Sequence, residues 1–470
     1  MDDPGIPHGA RTPSRAVRLD SGVRPSGVSS LRWADNAGGT SIFIEDEARC
    51  WIRWGGGLTR NAMSRVKRTL GLLAIASSIF VLWQVPHLAG GVALAAPQGE
   101  PVEIGVITSL SGRFATFGTM QMAGYRVALE EIESRGGVLG RPLKLLVEDD
   151  ASDQNAALSA AERLLRRGVP VILGTYASGI SKPLAQYMAR RQAPLLVTGS
   201  ADDAITRPGS EWVFRAKTNA SAYARSLLDL ADRLGGMKRI AILAGSGAFE
   251  QSVADAAERL AGQRGYRVVA REAYDRGLTD FRPILNRFRT LDPDILFMVS
   301  YEEDAVAIMR QVKEVNLNAR MFAGGAAGFA LESFVKGAGD AAEWVFSATS
   351  WTPQVRYPGA QQLYEKLKAE LHGTEPSYHA AEAYMALIVA ADAINRAGKL
   401  DKAAIRDALR ATRLTTAAGP VEFKDYDGFR NQNPISMVVE QVQDGRFVTV
   451  FPEEVAAGQP RFPTPAWAKR

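Results

Sequence analysis

Val102-Glu-Ile-Gly-Val-Ile-Thr-Ser-Leu-Ser-Gly-Arg-Phe-Ala-Thr-Phe-Gly118 decides the reading of this chain. The run Val102–Leu110 is apolar, rich in Val and Ile and too short for a helix, as expected of a strand buried on both faces. It leads into Ser109–Gly118, a loop of small and hydroxyl-bearing residues, and then into the helical stretch Met122–Ser134. A strand, a small-residue loop and a helix in that order form the opening unit of a parallel α/β sheet.

The same alternation continues downstream. Strands are expected at Leu143–Glu148, Val169–Leu173 and Leu195–Thr198, and a second series at Arg239–Ala244, Arg267–Ala270, Ile295–Ser300, Met321–Ala323 and Trp344–Ala348. Helices are expected at Asn155–Arg167, Ala220–Leu234, Val253–Gln263, Phe281–Thr290 and Glu303–Val315, with Ser152 or Asp153 capping the first of these and Gly168 ending it. Two such series predict an α/β protein of two Rossmann-like lobes. The first series stops near Lys217. After the second come three helical stretches, Gln361–Leu371, Tyr378–Arg396 and Lys402–Thr412, and then strands again, with Asp444-Gly445 as a hairpin turn between Ser436–Gln443 and Arg446–Phe451. Each lobe is therefore expected to be assembled from separate pieces: 101–217 with 347–418, and 218–346 with 419–455. Residues 456–470 form an extension, an extended strap rich in proline. No internal repeat of 20 to 50 residues supports a solenoid.

Upstream, Met63-Ser-Arg-Val-Lys-Arg-Thr69 is a positive n-region, Leu70–Trp83 is apolar, and Ala93-Leu-Ala95 is a small-x-small cleavage signature. A cleaved export signal is expected from Met63 to about Ala95, and a periplasmic mature protein from Ala96; an uncleaved anchor is the competing reading, but the run falls short of the ~20 residues a span requires. Residues 1–62 show no sustained period and are read as a misassigned start or a disordered leader.

Residues 1–95 hold 11 of the 56 Lys and Arg and 7 of the 51 Asp and Glu, so the formal charge of +5 falls to about +1 after them. Nucleic-acid binding loses its compositional support. Cys50 is the single cysteine and His372 and His379 the only histidines beyond residue 95, so thiolate chemistry, disulfides and multi-histidine metal sites are not expected in the exported part.

In open parallel sheets ligands bind beyond the carboxyl ends of the strands. Four loops there are rich in Gly, Ser and Thr. In the first, Ser111 and Gly112 offer backbone amides while Phe114 and Phe117 are either cleft walls or core. In Gly174-Thr-Tyr-Ala-Ser-Gly-Ile-Ser-Lys-Pro183, Ser178 stands where a helix opens, with Pro183 in its first turn; its hydroxyl and the free amides suit a carboxylate, or a serine there is a cap. In Thr198-Gly-Ser-Ala-Asp-Asp203, Asp202 is a ligand contact or an ordinary cap. In Ala244-Gly-Ser-Gly-Ala-Phe-Glu250, a half-formed dinucleotide fingerprint is spoiled by Glu250, which would repel a pyrophosphate. No nucleophile elbow, P-loop or His-Glu-x-x-His is present. The acidic clusters Glu148-Asp-Asp150 and Glu302-Glu-Asp304 are read as solvated loop faces or, alternatively, cation sites.

Together these residues resemble the periplasmic substrate-binding proteins of ABC importers, of the branched-chain amino-acid type with the type I periplasmic fold. The carriers are Ile104–Gly112, Gly136-Gly-Val-Leu-Gly-Arg-Pro142, Glu148-Asp-Asp150, Asp280-Phe281, Asp294 and Gly419-Pro-Val-Glu-Phe423. The resemblance implies three hinge strands and ligand contacts at Phe117, Ser178, Ser200, Ala201, Asp202, Phe249 and Tyr301; the reading of the loops adds Ser111 and Gly112, with Ala326, Tyr378 and His379 at the cleft edge. It departs from the family at Gly324-Gly-Ala-Ala-Gly328, where amino-acid binders carry a glutamate for the ligand ammonium. Asp202, Glu302 or Glu303 then substitutes, or the ligand has no amine.

The expected function is capture of a small amino acid or related organic carboxylate or amide and its delivery to an inner-membrane ABC permease, by a monomer without cofactor, metal or catalysis. The alternatives are a ligand-sensing receptor domain and a nucleotide-dependent transferase or dehydrogenase. The expected function requires a deep gap between the lobes; a gap filled by side chains around Ser178 would count against it.

Overall fold

The computed structural model describes residues 96–470 and, upstream, three strands, Ser30–Asn36, Gly39–Glu45 and Cys50–Arg53. These three form an antiparallel sheet of their own, Ser30 pairing with Glu45 and Ile42 with Ile52. The leader was read as having no sustained period; its short apolar alternations, Leu31 with Trp33 and Ile42 with Ile44, suffice for strands of this length. The expected signal segment lies outside the described residues.

From Val102 onward the strands fall into two seven-stranded sheets. The first runs, in spatial order, Lys424–Tyr426, Phe429–Gln432, Val213–Arg215, Leu195–Val197, Ile172–Gly174, Val102–Thr108, Leu143–Asp149. The second runs Arg267–Tyr274, Arg239–Gly245, Ile295–Ser300, Met321–Ala327, Val345–Thr349, Val438–Gln443, Arg446–Phe451. Both are parallel except near one end, where Lys424–Tyr426 in the first sheet and Val438–Phe451 in the second are antiparallel additions. This is the expected two-lobed α/β architecture.

The sheets place two boundaries differently from the sequence reading. Val345–Thr349 is a strand of the second sheet, so the second crossing falls after residue 349 rather than at 347. Strands 424–432 extend the first sheet, so the third crossing follows Gln432 rather than preceding Gly419. What was missed is a hairpin: Tyr426 pairs with Phe429, and Asp427 and Gly428 between them take φ of 50° and 81°. The strand Val213–Arg215 was also missed, being three residues long.

Each sheet is covered by helices, most burying one apolar face and Tyr378–Ala397 buried nearly all round. In the first lobe, Ala115–Ser134 lies against Tyr378–Ala397, and Gly124 permits the contact: a Cβ there would stand 1.9 Å from the carbonyl oxygen of Ala380. Asp153 caps Gln154–Arg166 by accepting from the amides of Asn155 and Ala156 at 2.8 and 2.9 Å. In the second lobe, Ala220–Leu234 and Ala248–Gln263 pack on one another beside the sheet. The tail crosses the second lobe, the Trp467 indole donating to the Leu317 carbonyl at 2.7 Å and the Thr464 amide to that of Arg320.

Two of the three crossings are tied to one another. Arg215, fully buried, donates to the Gln432 side-chain oxygen at 2.6 Å and to the Asp202 carbonyl at 2.7 Å. Gln432 in turn donates to the Lys217 carbonyl, and Asn433 to that of Ala216 at 2.6 Å. The connection is thus a hydrogen-bonded band, and the carboxyl ends of both sheets face each other beside it.

Candidate functional site

Between those strand ends the lobes close on a cavity in which only about 10 Å³ is open to the centre of a water molecule, room for about one water. Its wall is Tyr176, Ser178, Gly199, Lys217, Tyr378 and His379 from the first lobe with Tyr223, Phe249, Tyr301 and Ala327 from the second. The gap around Ser178 is therefore nearly filled by side chains, the condition set against ligand capture at the sequence level. The filling comes from aromatic rings of opposite lobes: Tyr301 lies 4.9 Å from Phe114 and 6.2 Å from Tyr176, ring centre to ring centre, while Tyr176 stacks on Phe117 at 4.2 Å. Rings held by different lobes separate when the lobes part, unlike the rings of a single core.

Four helices begin at this cavity. Ser178 is the first residue of Ser178–Arg190, Phe249 lies in the first turn of Ala248–Gln263, Tyr301 is the N-cap of Glu302–Glu314, and Tyr378 and His379 open Tyr378–Ala397. The helices at Ser178, Ala248 and Glu302 each start within four residues of a strand end, and that at Tyr378 follows Pro376-Ser377, so first-turn amides and the positive ends of four macrodipoles converge. No side chain caps the helix at Ser178. Instead the Ser178 hydroxyl oxygen accepts from the amides of Ala201 and Asp202 at 3.3 and 3.1 Å, which leaves its proton to donate. Pro183 lies in the second turn of this helix, not the first as expected, because the helix starts at Ser178 itself.

The structure brings Ser178, Phe249, Tyr301, Tyr378 and His379 to the cavity wall, with Phe117 directly behind Tyr176. Other expected contacts stand elsewhere. Ser111 is exposed and donates to Asp149 at 2.6 Å, and Gly112 sits against Ser152. Ser200 turns its hydroxyl to the carbonyls of Thr175 and Tyr176. Asp202 accepts from the Ala204 amide at 2.9 Å, the ordinary cap that was its alternative reading. Ala201 contributes its amide to Ser178, and Ala326 belongs to the strand whose next residue, Ala327, lines the cavity. Within the acidic cluster, Asp149 accepts from the Leu110, Ser111 and Ala151 amides and Asp150 from Ser109, so these two pin the first loop.

Sequence reasoning missed Lys217, Glu382, Tyr176 and Tyr223. Lys217 and Glu382 are 2% and 3% exposed and form an ion pair at 3.1 Å. The Lys217 ammonium also donates to the Gly199 carbonyl at 3.0 Å and the Tyr223 hydroxyl at 2.8 Å; Glu382 accepts from Ser350 at 2.8 Å. Burial pulls the lysine down and pushes the carboxyl up, and each opposes the other's shift by attraction. The signal was present: Glu382 is a lone acid inside the apolar run Ala380–Ala391. His379 is held neutral, well below its usual range, by burial and then by Lys217.

Glu250 folds back over its own loop, its carboxyl oxygens occupying the space a Cβ would need at Gly245 and Gly247. A pyrophosphate would require that space, so the nucleotide reading fails for the reason the sequence offered. Burial first of all pushes this carboxyl up to about 7. Among the described residues no group of His, Cys, Asp or Glu is arranged to hold a metal, and no helix is long and apolar enough to cross a membrane.

Two parallel-sheet lobes, joined by three crossings and closing on convergent helix starts, define a type I periplasmic binding fold. The chain belongs to the periplasmic binding protein family, whose model matches residues 101–446. It is 28% identical over 383 residues to a Leu/Ile/Val-binding protein homolog of Brucella suis, covering 78% of this chain and 96% of that one. The leucine-binding protein LivK of Thermotoga maritima superposes with a TM-score of 0.68 at 25% identity, over 74% of this chain and 97% of that one. A solute-binding protein of R. palustris in complex with benzoate shares the fold, with a TM-score of 0.65 at 18% identity over 77% of this chain and 98% of that one. All three are named as binding proteins, the last as that of an ABC transporter, which accords with the expectation of no enzymatic turnover.

Proposed function

We propose that this chain is the periplasmic solute-binding component of an ABC importer, exported by a cleaved signal between Met63 and about Ala95. It captures a small amino acid or related organic carboxylate or amide between its lobes and passes it to a membrane permease. The observation that carries this reading is Ser178, buried at a helix start with its hydroxyl proton free and rings from both lobes around it. The relatives' names support it: a Leu/Ile/Val-binding protein homolog in one case and a leucine-binding protein in another.

The small volume of the closed cavity sets the mechanism. A ligand enters with the lobes apart and displaces ring-to-ring contacts such as Phe114 with Tyr301. Closure then replaces those contacts with ligand contacts from both lobes, shifting the open-closed equilibrium. In calorimetry with a bound small acid or amino acid, Ser178→Ala and Tyr301→Ala each weaken binding by about 1–3 kcal/mol. Affinity unchanged in both variants rejects this site.

A further inference from the structure

We infer that the cleft selects small carboxylates lacking an amino group, with Lys217 setting that preference; the inference rests on the capture reading above and specifies its ligand class. Lys217 carries the one charged side chain in the cavity wall, and no carboxylate is part of that wall. Of Glu382, Glu250 and Asp202, the acids nearest the cavity, each has a carboxylate oxygen engaged elsewhere, while the buried Glu382 Oε2 has no hydrogen-bond partner. Glu382 lies behind Lys217, its Oε1 held by Lys217 and Ser350. Glu250 is turned over Gly245 and Gly247, and Asp202 holds the Ala204 amide. Glu302 and Glu303 lie outside the wall.

The fixed charge of the site has one sign. Four helix starts and the Lys217 ammonium face the cavity, and His379 is neutral. A ligand ammonium would be desolvated among positive ends without a counter-charge, which is costly. A ligand carboxylate meets the Ser178 hydroxyl proton, the helix amides and Lys217. Lys217 now spends its three protons on Glu382, Gly199 and Tyr223. A carboxylate oxygen takes the place of the Gly199 or Tyr223 acceptor, while Glu382 keeps the lysine charged. The remaining wall is Tyr176, Tyr223, Phe249, Tyr301 and Tyr378, which suits an aryl or branched alkyl group.

The experiment is calorimetry on the mature protein with leucine, leucinamide, 4-methyl-2-oxopentanoate, 4-methylpentanoate, benzoate and phenylacetate. At least one acid without an amine binds ten-fold or more tightly than leucine, and leucinamide gives no heat. The variant Lys217→Met with Glu382→Gln, which leaves no orphan charge, lowers that acid's affinity ten-fold or more while its melting temperature stays within a few degrees. Leucine binding tighter than every deaminated acid overturns the inference and leaves the capture reading standing. Unchanged acid affinity in the double variant also overturns it. If none of the six compounds binds, the capture reading itself falls and takes the inference with it.

Discussion

Two of the spaces between the lobes differ in every respect that bears on function. The cleft cavity leaves about 10 Å³ to a water centre and is walled by rings, one buried hydroxyl and a buried lysine. The space beside the crossing segments measures about 770 Å³ and is lined by Arg207, Arg225, Arg259, Asn219, Tyr426 and Phe451 among others. By size alone the second would be chosen. Yet its three arginines are exposed to water, where charges are worth little, whereas the cleft wall is buried at every residue but the half-buried Tyr301. On the proposed function, the binding site of a closing protein is the place where polar groups converge without room.

The sharpest way to break that contrast is to ask whether the cleft floor is dry. If it is, removing one partner of the Lys217–Glu382 pair strands the other, at about 3–5 kcal/mol in stability for Lys217→Met or Glu382→Leu alone. Replacing both together recovers most of the loss, because two apolar side chains need no counter-charge. Chemical unfolding of the three variants measures this. Single variants within about 1 kcal/mol of the parent would mean that water reaches the pair.

A second test uses pH. The Glu250 carboxyl is raised to about 7 from an ordinary 4.5, by burial first, against the attraction of Arg113 from the other lobe and of Arg276, and with Asp304 nearby adding repulsion. A carboxyl whose folded value is raised holds its proton more tightly when folded. Its stabilising contribution is complete below pH 4.5 and is lost as pH rises through about 7. Stability of the parent should therefore fall over that window by about 1–3 kcal/mol more than that of Glu250→Gln, in which Glu440, raised to about 8 by its own burial, still titrates. Parallel unfolding curves at pH 4.5, 6 and 8 for the two proteins would place Glu250 in water instead.

The same contrast explains what could be read from the sequence. Strand and helix periods carry into the fold, so Ile295–Ser300 of the parallel sheet, Ala220–Leu234 beside it and the antiparallel edge strand Arg446–Phe451 match the structure residue for residue. Loops that follow strands announce themselves by small residues, which is how Ser178 and Phe249 were found, whereas Tyr301 came from the family resemblance. Lys217 was not legible: it follows a three-residue strand, and nothing local says that a lysine there meets a glutamate 165 positions later. Ser200 and Asp202 misled because a hydroxyl or carboxyl at a loop serves the backbone as readily as a ligand, and only geometry distinguishes the two. The third crossing was misplaced because the hairpin at Asp427-Gly428 lies between strands of three and four residues.

The smallest expected effect belongs to the larger space. Arg225 and Arg259 are exposed, and no carboxylate among the described residues lies within 4.0 Å of either; Arg259 donates to the Ser221 hydroxyl at 3.1 Å. Exposed and solvated, each contributes within about 0.5 kcal/mol to stability. Arg225→Ala and Arg259→Ala should therefore leave the affinity for a small acid within about two-fold of the parent, even though both line the boundary between the lobes. The argument has a physical edge, because this space must change shape whenever the lobes rotate about the crossings at Thr218–Asn219 and Pro434–Met437. A ten-fold loss of cleft affinity in either variant would show that these guanidinium groups favour the closed state from outside the cleft, and the division between a working cavity and a passive one would no longer hold.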